Sequence, residues 1–343
     1  MASISTPTVD HGGSTTISAV HPDVIQAHIL TRLDGPTLAS TSCASSQLHT
    51  LSDQDQLWRH ICTSTWPSID QPRLQHLIST FPAGHRSFFS DSFPVLDHLS
   101  SPDTSSPDPS SPPTTELISA VDIFYKDTPI FSKIQETQTE TGWFLCSPFR
   151  VQLLDPKESV PTPIRHVGDD NDDGVWLEHL EENLTLSWIM IDPARKRAAN
   201  LSSRKPVSVE RHWLTGEVQL RYGTIMKALG SGEEVQCAMV VTCGEGEELG
   251  GKLQVREVSL VVEDMEGKHL SGKDSLGILE NAVEGGKRKK GKEMEGKERF
   301  EEYMERKRER RERKARREKL MDLGCIVTGV SMFVCLWSFL VLS

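Results

Sequence analysis

The chain has 343 residues, of which only 36% are hydrophobic, thin for one compact globule of that length and suggestive of folded modules joined by polar segments. Its formal charge of −11 is unevenly spread: residues 287–319 hold 17 Lys/Arg against 9 Asp/Glu, a net of +8, so the remainder sums to −19. An acidic body excludes nucleic-acid binding by the main domain, because phosphate contacts need Lys and Arg there.

Residues 1–19 lack the basic start and apolar run of a secretory signal and read as a disordered leader. A helical pattern begins at Val20 and runs to about residue 66. Pro22 and Asp23 make a favourable first turn, since proline tolerates that position and a carboxylate suits a helix N-terminus. Val24, Ile25, His28, Ile29 and Leu33 then predict an apolar stripe, and Asp34-Gly35-Pro36 ends that helix. A second short helix is expected from Thr37 with Leu38 and Ala39. A third apolar set comprises Leu48, Leu51, Leu57, Trp58 and Ile61, and residues 67–98 add a helical extension around Leu74, Leu77 and Ile78.

These residues carry a resemblance. His21-Pro22, Ile29-Leu30-Thr31-Arg32-Leu33, Thr37-Leu38, Ser42-Cys43 and Leu57-Trp58 resemble the F-box pattern of Leu-Pro, Ile-Leu-Ser-x-Leu, Asp-Leu, Val-Cys and a late Leu-Trp. His21 stands in place of the Leu, and Leu48 where a Trp usually stands. The wording of the segment is similar to one group of plant F-box proteins with a C-terminal extension. The resemblance implies a helical plug whose apolar side chains enter a groove on a Skp-type adaptor subunit, and through it reach cullin and RING subunits. The residues it nominates for docking are Pro22, Val24, Ile25, Ile29, Leu30, Leu33, Leu38, Leu48, Leu57 and Trp58.

Residues 99–115 are almost wholly Ser, Pro, Thr and Asp, a linker unable to bury enough apolar area to offset chain entropy. Residues 116–283 change character. LTLSWIMID, PVSVE, GEVQLRYGTIM, EVQCAMVVTCG and LQVREVSLVVED are short, β-branched and partly alternating, which predicts an antiparallel β-rich, sandwich-like domain. Trp143, Trp176, Trp188 and Trp213 are read as its core or rim. Residues 284–297 form a Gly/Lys linker. Residues 298–322 read as one charged, basic helix, either a solvated spacer or a segment drawn to anionic lipid.

The run LGCIVTGVSMFVCLWSFLVL, residues 323–342, has no charge and the length needed to cross a bilayer. With Trp337 and the basic flank before it, it predicts a C-terminal single-pass tail anchor with the body in the cytosol, the endoplasmic reticulum read ahead of the mitochondrial outer membrane. The fold class is therefore α+β and multidomain.

Sites of chemistry are not found. There is no GxSxG, GxxxxGK[ST] or HExxH, and the twelve histidines lack ligand spacing. Asp169-Asp170-Asn171-Asp172-Asp173-Gly174 resembles the opening of an EF-hand loop, but the closing carboxylate would fall at Leu180, so an exposed acidic loop is expected. Seven scattered cysteines without a CxxC pair fit reduced thiols. Asn183-Leu184-Thr185 and Asn200-Leu201-Ser202 match the glycosylation sequon and should stay unmodified in the cytosol. The expectation is a non-catalytic substrate receptor of a Skp–cullin–F-box ubiquitin ligase, holding an unknown protein target at a membrane, with no cofactor, no metal and no nucleic-acid partner. The alternative is a membrane-anchored carbohydrate- or lipid-binding protein whose N-terminal helices are only structural.

Overall fold

The structure, a computed structural model, describes residues 20–96, 112–165, 173–228, 232–246, 252–285, 288–289 and 293–342. The leader, nearly all of the Ser/Pro linker and most of the acidic 169–174 loop lie outside them.

The first helix is not one regular α-helix. An α-turn α1 (Pro22–Val24) passes into a π-turn (Ile25–Ile29) and a 3-10 turn (Leu30–Arg32). In the π-turn the Leu30 N–H donates to the Ile25 carbonyl, so these side chains, five apart, lie over one another and both are fully buried. The predicted stripe is thereby rearranged, and Val24, His28 and Ile29 point outward. Asp34 then begins the next helix by accepting from the Thr37 N–H at 2.9 Å, opening α2 (Gly35–Ser42). Gly35 is needed there, because a Cβ would lie 2.1 Å from the Phe89 ring. Ser45 caps α3 (Ser46–Ser52) in the same way, at 3.2 Å to Leu48 N, and α4 (Asp55–Thr65) follows. The extension comprises a 3-10 turn (Pro67–Ile69), α5 (Pro72–Ser79) and α6 (Gly84–Ser92). Trp58, Trp66, Phe88 and Phe89 interlock at its centre with ring centroids 5.4–5.7 Å apart.

After β1 (Val95–Leu96) the β-rich body begins with β2 (Glu116–Tyr125) and β3 (Thr128–Gln138), then α7 (Gly142–Cys146), β4 (Arg150–Gln152) and β5 (Val160–Arg165). It continues through α8 (Asp173–Asn183), β6 (Leu184–Asp192), β7 (Arg197–Asn200), β8 (Ser208–Arg211), β9 (Val218–Lys227), β10 (Glu234–Glu245) and β11 (Lys252–Glu263). Then come α9 (Gly272–Glu284), β12 (Arg288–Lys289) and α10 (Glu293–Leu342). All pairings are antiparallel. One sheet has the order β3-β2-β6-β7; the other runs β4-β11-β10-β9-β8, with β5 also on β11. Their facing side chains, among them Val121, Trp188, Tyr222, Met239 and Leu260, form one apolar core. The α+β class and the sandwich are as expected.

The unexpected feature is that the smaller sheet is buried on both faces. Ile118, Ala120, Ile189, Ile191 and Ala198 turn away from the sandwich and share a second core with Ile25, Trp58, Ile69 and Phe88 of the helices. That explains why β2 and β6 read as continuous apolar runs and not as alternating ones. Polar contacts frame the joint. Arg73 grips Glu116 with one nitrogen 3.0 Å from both carboxylate oxygens, Arg197 holds Asp91 through two bonds of 2.8 and 3.0 Å, and Ser68 bonds Asp122. The N-terminal helices therefore do not hang from the Ser/Pro linker; they pack on the sheet.

Two further expectations are modified. The 284–297 segment is not a free linker throughout: β12 pairs with β1, and Arg288 donates to the carbonyls of Asp91, Ala198 and Val283. The charged and apolar C-terminal segments are one continuous helix, α10, about 75 Å long at 1.5 Å per residue. The first part of its charged half is docked and not a solvated spacer, because Tyr303 is fully buried against Ile225 and Met265, whereas residues 311–322 are exposed. Arg306 pairs with Glu234 at 3.0 Å, Arg310 with Glu233 at 3.0 Å, Lys307 with Glu263 at 3.6 Å and Lys314 with Glu266 at 3.3 Å. From Leu323 onward the helix is exposed, and it is long and apolar enough to cross a membrane.

Candidate functional site

The ten residues nominated for docking separate into two groups. Ile25, Leu30, Leu38, Leu48, Leu57 and Trp58 are buried in the molecule's own second core. Trp58 is further fixed by its indole N–H, which donates to the Ser52 carbonyl at 2.7 Å. Pro22, Val24 and Ile29 are exposed, Val24 by 46% and Ile29 by 39%, and Leu33 is half-buried. Val20, exposed by 38%, belongs with this outer set although it lies before the His21-Pro22 start of the F-box-like pattern. Leu57 has a second aspect: with Ala27 it supplies apolar lining to a cleft of about 620 Å³ between the first helix and α4, rimmed by Asp23, Gln26, Gln54 and His60. Gln54 donates to Gln26 across it at 3.2 Å.

The surface available to a partner is thus an apolar edge of Val20, Pro22, Val24 and Ile29 on the broken first helix, with a cleft beside it. The π-turn makes the arrangement by spending Ile25 and Leu30 on the inside, so the residues between them face out. Single exposed apolar residues are ordinary on protein surfaces, whereas here four fall within ten residues, on and just before one short irregular helix.

Behind this surface the helices are held by α4 and α6. His85 is buried, its Nδ1 lies 2.9 Å from the Asp55 carboxylate, and its Nε2 lies 3.0 Å from Gln75 Oε1. The Gln75 amide is oriented by donating to the Ile69 carbonyl at 3.0 Å, so its oxygen is the atom that meets the ring. Such a fully partnered network fixes α4 against α5 and α6. Cys62 beside it is buried, and burial pushes its thiol far above the ordinary range, so it is not a nucleophile. Cys237 and Cys243 in the sandwich core are raised for the same reason.

Other sequence signals are placed as follows. Among the described residues no cluster of His, Cys, Asp and Glu has the arrangement to hold a metal ion. Asp173, the one described acid of the EF-hand-like run, grips the Arg211 guanidinium at 2.9 and 3.0 Å from Nε. Asn200 is buried and bonded to the Trp188 and Ser202 N–H groups and to Ser187 Oγ, leaving no room for a glycan in the folded chain. Of the four tryptophans assigned to core or rim, Trp176 and Trp188 are buried, whereas Trp143 and Trp213 are 84% and 88% exposed.

The compact helical subdomain over the first described residues covers the segment whose sequence resembles an F-box, and it packs on a β-rich body. An F-box-like family model matches residues 22–64. The chain is 49% identical to F-box protein At2g27310 of Arabidopsis thaliana over 98% of this chain and 99% of that one. It is 51% identical to F-box protein At3g44326 over 93% and 89%, and 47% identical to Probable F-box protein At2g36090 over 94% and 94%, both also from Arabidopsis thaliana. The chain belongs to the F-box protein family. No solved structure matches it. F-box proteins are in general substrate receptors of Skp–cullin–F-box ubiquitin ligases and typically non-catalytic, and an F-box implies binding to a Skp-type adaptor.

Proposed function

We propose that this chain is the substrate-receptor subunit of a Skp–cullin–F-box ubiquitin ligase, held at a membrane by the apolar half of α10. The outward apolar edge of the first helix, left exposed by a chain that buries most of the other large apolar side chains of its F-box, carries the reading. Val24, Ile29 and Pro22 meet the Skp-type subunit directly, with Leu57 reached through the cleft. Ile25, Leu30, Leu38, Leu48 and Trp58 act by holding that edge in shape. Transfer chemistry belongs to other subunits, so this chain supplies no nucleophile. The apolar run from Leu323 spans the bilayer, and the basic stretch from Arg306 to Lys319 keeps the body on the cytosolic side. Tethering raises the local concentration of membrane-associated targets without a new contact.

Substitutions at Leu30 or Trp58 cannot test docking, because emptying or charging such a buried site costs several kcal/mol and unfolds the helices. Val24→Asp with Ile29→Asp is the informative pair. The double variant should keep the native melting temperature and lose co-purification with the Skp-type subunit. Retained binding at native stoichiometry would sink the docking assignment.

A further inference from the structure

Trp213 and Leu214 are 88% and 70% exposed at the tip of the hairpin between β8 and β9, the largest side chains so displayed on the body apart from Trp143. The tip is a built structure. The His212 N–H donates to the Glu217 carbonyl at 2.7 Å, and the Gly216 N–H to the His212 carbonyl at 2.8 Å. Gly216 takes φ +70°, a left-handed conformation that glycine adopts without strain. The Thr215 hydroxyl lies 3.1 Å from His212 Nδ1, and the His212 ring is stacked on Trp213 at 6.4 Å. Arg211 locks the base, donating to the Gly216 carbonyl at 2.7 Å while holding Asp173 on the first turn of α8. Such a loop holds the backbone of Trp213 and Leu214 in place and displays both side chains to water, which lowers the ordering cost of binding.

The neighbouring helix supplies the charge. Val175, 59% exposed, sits two residues beyond Asp173, and Glu178 and Glu182 follow it at i+3 and i+7 on the same exposed face. Neither glutamate is in an ion pair among the described residues; Lys297, bonded to Glu181 on the adjoining face, acts on Glu178 from a longer distance, and Glu182 is the freer of the two. The tip therefore stands next to an acidic stripe with apolar Val175 at its near end.

A lipid surface is the wrong occupant for position and for charge. Helix α10 runs alongside β9 and leaves the body at the far end of that strand, past Glu233, Glu234 and Glu266. The β8–β9 tip lies at the opposite end, some ten residues of extended chain away, roughly 33 Å. An acidic stripe is also repelled by anionic headgroups.

We infer that the β8–β9 tip and the outer face of α8 form the surface that receives the target protein, through a segment presenting an apolar side chain flanked by Lys or Arg. The inference deepens the receptor reading above and rests on it. Trp213 and Leu214 bury against the apolar side chain, Glu178 and Glu182 pair with the flanking cations, and Val175 fills the space between.

The test uses the full chain in detergent micelles, bound to its Skp-type subunit. Two fluorescein-labelled peptides of about twelve residues serve as probes, each with a central Leu-rich core, one flanked by lysines and the other by glutamates. The lysine-flanked peptide should bind, and raised salt should weaken it. Trp213→Ala with Leu214→Ala should cut its affinity about 30-fold while melting temperature and adaptor binding stay native. Glu178→Lys with Glu182→Lys should turn the preference towards the glutamate-flanked peptide. Equal binding by the Trp213/Leu214 variant, no binding of either peptide, or, in a chain ending at Asp322, tryptophan quenching by vesicles of brominated phosphatidylcholine that Trp213→Ala abolishes, overturns the inference. Adaptor binding without peptide binding overturns it alone; an intact chain that binds no adaptor overturns the receptor reading, and the target assignment with it.

Discussion

Asp122 is a fully buried carboxylate on the face of β2 that turns towards the helices, among Ile118, Ala120 and Ile189. Its Oδ1 accepts the Ser68 N–H at 2.8 Å and its Oδ2 the Ser68 hydroxyl at 2.6 Å, so it joins the two halves of the molecule. Burial outweighs these bonds and pushes its pKa up from 3.8 to about 6. A folded-state pKa above the unfolded one means the folded chain binds the extra proton between those values. Stability from this group is therefore fully present below about pH 4 and is lost as pH rises through 6, by roughly 3 kcal/mol. Asp122→Asn keeps an acceptor for the Ser68 N–H and removes the titration. Relative to the native chain, the variant should gain stability between pH 4 and 7 in urea unfolding. Superposable pH profiles would show that Asp122 does not titrate in that range. At this scale the sequence was legible only in part. The resemblance nominated the ten docking candidates, and neither it nor apolar spacing could separate core from surface, because an apolar side chain serves either use. The π-turn at Ile25–Ile29, which makes that separation, has no glycine or proline to announce it.

Among the elements, strands rich in β-branched residues were readable: LTLSWIMID coincides with β6, and EVQCAMVVTCG and LQVREVSLVVED fall within one residue of β10 and β11 at either end. The β2–β3 hairpin was not assigned. Its turn uses Lys126 and Asp127 at φ 48° and 63°, where Asn-Gly would be the usual signal. The charged helix was readable as a helix but not as a docked one, since alternating Glu and Arg look alike in solvent and in ion pairs across to a sheet. The signals were Phe300 and Tyr303, the two aromatic rings in that run, both buried. Exposed ion pairs contribute at most about 1 kcal/mol each, so the buried tyrosine decides whether the segment stays down. Tyr303→Ala should cost about 3 kcal/mol locally. Under limited trypsin digestion of the full chain in micelles, the native protein should be cut first at Arg316, Arg317 and Lys319, beyond the last contact with the sheet at Lys314. The variant should be cut equally early at Arg306 and Lys307. An unchanged order of cleavage, read by mass spectrometry, would mean that Tyr303 does not hold the helix.

For the whole molecule, the helices, the double-faced sheet and the start of α10 pack in series, the helices through the second core and α10 through Tyr303 and its ion pairs. A composition-based reading divides the chain at the Ser/Pro linker, because that segment is poor in apolar residues; it cannot see that residues on either side meet again through Ser68, Arg73 and Asp91. The same packing sharpens the test of membrane attachment. Among the described residues the contacts of α10 with the body end at Lys314, and the apolar run starts at Leu323, nine residues later, so a chain ending at Asp322 keeps every contact that holds the body together. It should melt at the same temperature as the full chain, bind the Skp-type subunit equally, and differ in partitioning alone. After alkaline carbonate extraction the full chain should remain with the membrane pellet, because a run of about twenty uncharged residues spans roughly 30 Å of hydrocarbon. The shortened chain should be wholly in the supernatant. Equal partitioning of the two would remove the membrane from the proposed function while leaving the adaptor role standing, since no residue of the docking edge is touched by the truncation.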